Sequence, residues 1–158
     1  MSDRKSNASV ESLNDQLLLQ QLINTYHWRA DQFDWEGWAA TFTEDSVFEF
    51  VGGFGTMTGR QQIHDTCKGN MDHVYEVMQH VIVNLDFELT GTDTATGHGN
   101  LLFSALPDAS KPTRYYQSGG RYEWQFRRTA QGWRIAHTRL QFLWNNGLDQ
   151  DAVFESRD

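Results

Sequence analysis

The sequence changes period once, and that change limits most what it can fold into. Up to about Cys67 the apolar residues recur mainly at helical spacing. From Val77 onward they alternate in four long runs, residues 77–89, 94–106, 115–128 and 133–144. Helices first and strands afterwards point to an α+β architecture and away from alternating βαβ units. A chain of 158 residues supports a single core. One domain, 1–158, is therefore expected, with flexible tails at 1–11 and 146–158. No internal repeat or linker divides it, and its two prolines, Pro107 and Pro112, bracket one loop.

A first helix starts near residues 9–13, with Ser12 or Asn14 as its cap. Leu19, Leu22, Ile23, Tyr26, Ala30 and Phe33 form its apolar stripe. A short helix is expected over 35–42 and a first strand over 46–51. Gly52, Gly53 and Gly55 allow a tight return into residues 56–58, and a third helix runs from Gly59 and Arg60 through Cys67. Gly119 and Gly120 predict a bend or bulge in the third long strand. Long bent strands around the N-terminal helices give a cone-shaped barrel of strongly curved, mostly antiparallel sheet, with room for a cavity inside.

Aromatic residues reach 13%, with six Trp, ten Phe and five Tyr. That is more than a small core needs, and it suits a lined cavity or an oligomer face. Thirteen Lys and Arg against 21 Asp and Glu leave a net charge of −8. Such a surface repels phosphate backbones, so no nucleic-acid partner is expected. No apolar run approaches the roughly 20 residues that span a bilayer, and the first ten residues are polar, so a cytoplasmic protein without a membrane partner is expected. The lone cysteine, Cys67, excludes an internal disulfide and every multi-cysteine zinc motif. No Gly-x-Ser-x-Gly occurs, and Gly52-Gly-Phe-Gly55 lacks the Lys and Ser/Thr of a phosphate loop. No histidine pair has metal-ligand spacing. Neither a cofactor nor a metal is expected.

Asp31 lies on the shoulder of the first helix's apolar stripe, about 100° from its centre. Its plain alternative is a solvated carboxylate, or one paired with His27 a turn earlier. His80 shares strand parity with Ile82, Asn84, Asp86 and Glu88, opposite Val81, Val83, Leu85, Phe87 and Leu89. Strict alternation turns it to solvent if the odd face is core. A bulge, or a cavity at the His80–Ile82 end, turns it inward. Tyr75 and Met78 precede it as an apolar wall or as ordinary packing. His98 and Asn100 share one parity and either face a pocket or lie on an edge strand. Tyr122, Trp124, Phe126 and Arg128 share another, which reads as a packed face ending in an arginine or as an arginine at the pocket mouth, ready to hold an anionic or leaving group. His64 and His73 read as surface, and Cys67 as an idle thiol.

In order and spacing these pieces resemble the nuclear transport factor 2-like superfamily, in its SnoaL-like and scytalone-dehydratase-like branch. The segments that carry the resemblance are Tyr26 to Asp31, Phe42-Thr-Glu-Asp-Ser-Val-Phe48, Gly59-Arg-Gln-Gln-Ile63, Gln79-His-Val-Ile-Val-Asn84 and Gly132-Trp-Arg-Ile135. The resemblance implies a dyad in which His80 takes a proton from carbon and Asp31 holds the ring. It places Tyr26, five residues before Asp31, where bile-acid dehydratases carry a tyrosine. Phe50 falls where scytalone dehydratase has a tyrosine, Ala30 stands where another would be, and a second histidine falls next to His98. The arginine of the dehydrochlorinases falls at Arg127 or Arg128.

The expected function is a cofactor-free lyase of the dehydratase type, acting on a largely apolar cyclic small molecule. His80 is the base and Asp31 its orienting partner. Tyr26 or Arg128 steadies an enolate oxygen or leaving group, and Phe50, Tyr75, Met78, His98 and Asn100 complete the binding site. An isomerase or cyclase using the same dyad, or a non-catalytic binding or assembly module, are the rivals. Self-association as a homodimer or homotrimer is expected to cover aromatic sheet faces.

Overall fold

The computed structural model describes residues 9–146; the expected tails fall largely outside them. Three helices and six strands follow in the order α1 (Val10–Asp31), α2 (Trp35–Ala39), β1 (Phe42–Val51), β2 (Gly55–Thr58), α3 (Arg60–Met71), β3 (Val77–Leu89), β4 (Thr94–Leu106), β5 (Tyr116–Thr129) and β6 (Gly132–Asn145). The α+β reading holds. The strands form one sheet in the order β2-β1-β6-β5-β4-β3. Every pairing is antiparallel except β1 with β6, which is parallel. The sheet is not closed into a barrel: β2 and β3 are its edges.

Ser9, rather than Ser12 or Asn14, caps α1, its hydroxyl accepting the Ser12 N–H at 3.1 Å. The helix buries Leu19, Ile23, Tyr26, His27 and Ala30, close to the stripe the spacing predicts. Asp34 caps α2 through the Gly37 N–H at 2.9 Å. Strand β1 begins four residues earlier than alternation suggests, because Phe42 pairs with Ile135 before a register break at Val47. In β5 the register breaks between Gly119 and Gly120, where the glycine pair predicted a bulge. Among the described residues no helix is long and apolar enough to cross a membrane.

The feature that positions the site lies in β3. Val83 pairs with Asn100 and Asp86 with His98, so β3 advances three residues where β4 advances two. The extra residue is accommodated at Asn84, whose φ of 56° is left-handed. The bulge reverses the alternation. Met78, His80 and Ile82 before it, and Leu85, Phe87 and Leu89 after it, all turn to the inner face, while Val77, Val81 and Val83 are exposed. Both sets of residues thus serve the interior, and His80 points inward. Asn84→Val, which forces a β-branched residue into that conformation, is expected to cost about 1–2 kcal/mol. Asn84→Gly should be nearly neutral. Denaturant midpoints of the two variants check this.

Candidate active site

The last residue of α1 meets β3 at one point. The His80 backbone N–H donates to both oxygens of Asp31, at 3.0 and 3.2 Å, and His80 Nδ1 donates to Oδ1 at 2.6 Å. An ionised carboxylate only accepts, so Nδ1 carries the ring proton and Nε2 is left as the basic nitrogen. The side chains are 11% and 14% exposed. Asp31 therefore fixes the ring from two directions, through the backbone of its strand and through the imidazole itself. Phe103 packs against the His80 ring at 4.7 Å and His27 at 5.5 Å.

His27 does not pair with Asp31. Its Nδ1 donates to the Ile23 carbonyl at 2.9 Å. Burial, seconded by the neighbouring His80, holds it well below the ordinary histidine range, so it is neutral.

His80 lines a cavity between the helices and the sheet. The space measures about 610 Å³ including its open mouth, yet only about 50 Å³ of it lies clear enough of the walls to take the centre of a water molecule. It is a narrow slot. Tyr26, Trp38, Phe48, Phe103 and Tyr122 make its walls, and the partly exposed Phe54, Met71 and Phe142 mark its mouth beside Phe50. Ring centroids of Phe54 and Phe142 each lie 4.9 Å from that of Phe50. Cys67 also lines the slot, and burial pushes its thiol up to about 12, which leaves it protonated and inert.

Of the residues singled out from sequence, Tyr26, Phe50, Met78 and His80 line this cavity, with Asp31 behind His80. The others are elsewhere. Tyr75 is buried behind the wall, packed on Phe103 and Tyr116. His98 and Asn100 face the other side of the sheet. His98 lies 3.9 Å from Asp86, and Asn100 reaches Asn84 at 3.4 Å. On β4 it is Gly97 and Gly99 that turn inward, where an added Cβ would strike Phe87 and Leu85. His64, expected at the surface, is buried between Glu36 and Asp65. Among the described residues no three His, Cys, Asp or Glu side chains are grouped as metal ligands.

Arg128 also lies away from the cavity. Its guanidinium sits 4.3 Å over the Trp133 ring, bonds Asp15 at 2.7 Å and pairs with Asp93 at 3.3 Å. It fastens the start of α1 to the end of the sheet. Hydrogen bonding from Arg128 first, and from Trp133, holds the Asp15 carboxyl below its ordinary 3.8. A carboxyl lowered by folding stabilises above its unfolded value and loses that contribution as the pH falls through its folded value. Asp15→Asn is expected to cost about 1 kcal/mol at neutral pH. The difference from wild type should shrink below about pH 4, as read from unfolding curves across pH.

Sequence reasoning missed Trp38, Phe103 and Tyr122 as cavity residues. Tyr122 carried a usable signal, since it shares an inward parity with Trp124 and Phe126. Trp38 sits on a five-residue helix too short for any periodicity to speak.

A family model for the SnoaL-like domain matches residues 11–139. No curated protein matches the chain. Among solved structures, a proposed aromatic ring hydroxylase from Novosphingobium aromaticivorans superposes with a TM-score of 0.78 at 24% identity, over 89% of this chain and 97% of that one. A proposed scytalone dehydratase from the same organism gives 0.76 at 19%, over 85% and 87%. The hexachlorocyclohexane dehydrochlorinase LinA type 3 from Novosphingobium barchaimii gives 0.74 at 16%, over 87% and 92%. At these identities the likeness is one of fold. Together with the match over most of its length, it shows that the chain belongs to the SnoaL-like family, within the nuclear transport factor 2-like fold.

Proposed function

We propose that the protein is a cofactor-independent lyase of the dehydratase type, acting on a largely apolar cyclic small molecule. The observation that carries this reading is the hydrogen-bonded Asp31–His80 pair at the wall of an aromatic slot. His80 Nε2 takes a proton from a ring carbon. The electron pair left behind forms the new double bond as the group on the neighbouring carbon departs with its own bonding pair. If that group is hydroxide, the imidazolium returns the proton and water leaves. Nothing is oxidised or reduced overall. Asp31 keeps Nδ1 protonated and stabilises the imidazolium while it exists. The similar structures named for dehydratase and dehydrochlorinase chemistry make elimination the favoured outcome over isomerisation or cyclisation.

Exchange of ring-carbon protons for solvent deuterium, followed by NMR, reports the first step whatever the leaving group. Over a panel of cyclic ketones and β-hydroxy and β-halo ring compounds, wild-type protein should catalyse exchange or elimination and His80→Ala should not. Equal rates in the two proteins would defeat the reading.

Self-association as a homodimer or homotrimer belongs to the same proposal. Trp28, Leu143 and Trp144 are 66%, 49% and 49% exposed, and apolar side chains of that size favour cover. Light scattering should give two or three times the chain mass at micromolar concentration; the monomer mass rejects it.

A further inference from the structure

We propose that Phe54 is a specificity-determining residue, which sets from the tip of the β1–β2 hairpin how large a ring compound the slot admits. The proposal rests on the reading of this cavity as the substrate site.

The room behind the mouth is small. A water needs roughly 10–15 Å³ of space open to its centre. The clear space of about 50 Å³ therefore holds on the order of four waters, about the bulk of one six-membered ring. The rest of the 610 Å³ opens through the mouth. A compound of two or three fused rings must extend past Phe54, Met71 and Phe142. These three are not equally free. Phe142 lies in β6, paired with Gly120 of β5, and is a fixed wall. Met71 ends α3, where its carbonyl accepts from the Val74 and Tyr75 N–H groups at 3.1 and 3.3 Å. Its unbranched thioether changes shape without moving that backbone, so it adapts to a ligand and sets no sharp limit.

Phe54 is placed differently. Among the described residues that line the cavity, it alone belongs to no helix or strand. The β1–β2 ladder closes at Phe50 and Gly55, and only Gly52, Gly53 and Phe54 lie between the two strands. Gly52 and Gly55 are both left-handed, with φ of 83° and 80°. Gly53 presses on the Phe50 ring so closely that a Cβ there would lie 2.7 Å from it. This turn folds the Phe54 side chain back over the mouth, where its ring meets Phe50 edge-on at 4.9 Å and 89°. A contact of that kind is worth about two- to tenfold in an equilibrium. Phe54 thus gives a small ligand one more aromatic wall. A larger ligand has to displace it, and the glycine-rich turn lets it yield at that cost. The fixed walls set the width of the slot, and Phe54 sets how far a ligand can reach out of it.

The test is binding, measured by equilibrium dialysis with two neutral ketones of different size, cyclohexanone and 9-fluorenone. The readout is the ratio of fluorenone affinity to cyclohexanone affinity. Phe54→Ala should raise that ratio at least about tenfold over wild type, the scale on which an apolar pocket discriminates by size. Phe54→Leu should raise it by less, and Phe54→Trp should lower it. Phe142→Ala removes a ring of the same size from the same mouth and should raise the ratio by less than Phe54→Ala. An unaltered or lower ratio in Phe54→Ala overturns the proposal, as does a larger rise in Phe142→Ala. Failure of wild type and variants alike to bind either ketone overturns it too. Circular dichroism checks the fold, and if the alanine variant does not fold, the opposite shifts expected of Phe54→Leu and Phe54→Trp decide. No turnover is measured, so the same shift should appear in a His80→Ala background. Failure here is therefore distinct from failure of the lyase reading.

Discussion

Replacing His80 by alanine is expected to lower turnover about 10²–10⁴-fold, the range that a positioned general base contributes. The fold should survive. The His80 backbone N–H, which also holds Asp31, is untouched by the substitution, and circular dichroism should be unchanged. A loss below about tenfold would remove His80 from the chemistry.

Asp31→Asn is expected to be nearly as severe, and for two reasons that can be separated. An amide can offer its N–H₂ to Nδ1 and so hold the wrong tautomer, and it carries no charge to stabilise the imidazolium. It also weakens the clamp on the backbone of β3, where the carboxylate accepts from the His80 N–H with both oxygens. The first effect appears in kcat, about 10²-fold or more. The second appears as about 1–2 kcal/mol of lost stability. The double variant should lose little more activity than the worse single one, because the two residues act as one unit. Losses that multiply on a confirmed substrate would mean independent roles.

The sequence made the architecture legible because two periods are easy to tell apart over long runs. The bounds of β3 and β4 coincide with the alternating runs. What alternation cannot show is where it changes phase. His80 shares parity with exposed Glu88 on paper, and only the left-handed turn at Asn84 brings it to the side of Leu85. His98 and Asn100 failed for the opposite reason. The glycines beside them read as gaps in a pattern, yet Gly97 and Gly99 are the inward positions, emptied to admit Phe87, Leu85 and Trp124. Arg128 shows a third limit. Its place at the end of an apolar face is visible in the sequence, but its partner Asp15 lies at the far end of the chain. Which strands form the open edges was beyond the sequence's reach, since strand order depends on pairings between distant segments.

The parallel pairing of β1 with β6 has a consequence for the order in which the protein can assemble. Phe48 stands beside Thr138 and Phe50 beside Leu140, neighbours drawn from opposite ends of the chain. Strands β3, β4, β5 and β6 can join as a run of hairpins through local turns. By contrast β1, the first strand synthesised, has only the short β2 to pair with until the last strand emerges. Loop closure over that span is slow compared with hairpin formation. Phe48 and Phe50 therefore spend that interval on an unfinished edge, exposed to other chains. The aromatic wall that gives the cavity its shape is thus the last part of the molecule to be enclosed. Truncated or slowly translated chains should aggregate through β1, ahead of any other segment.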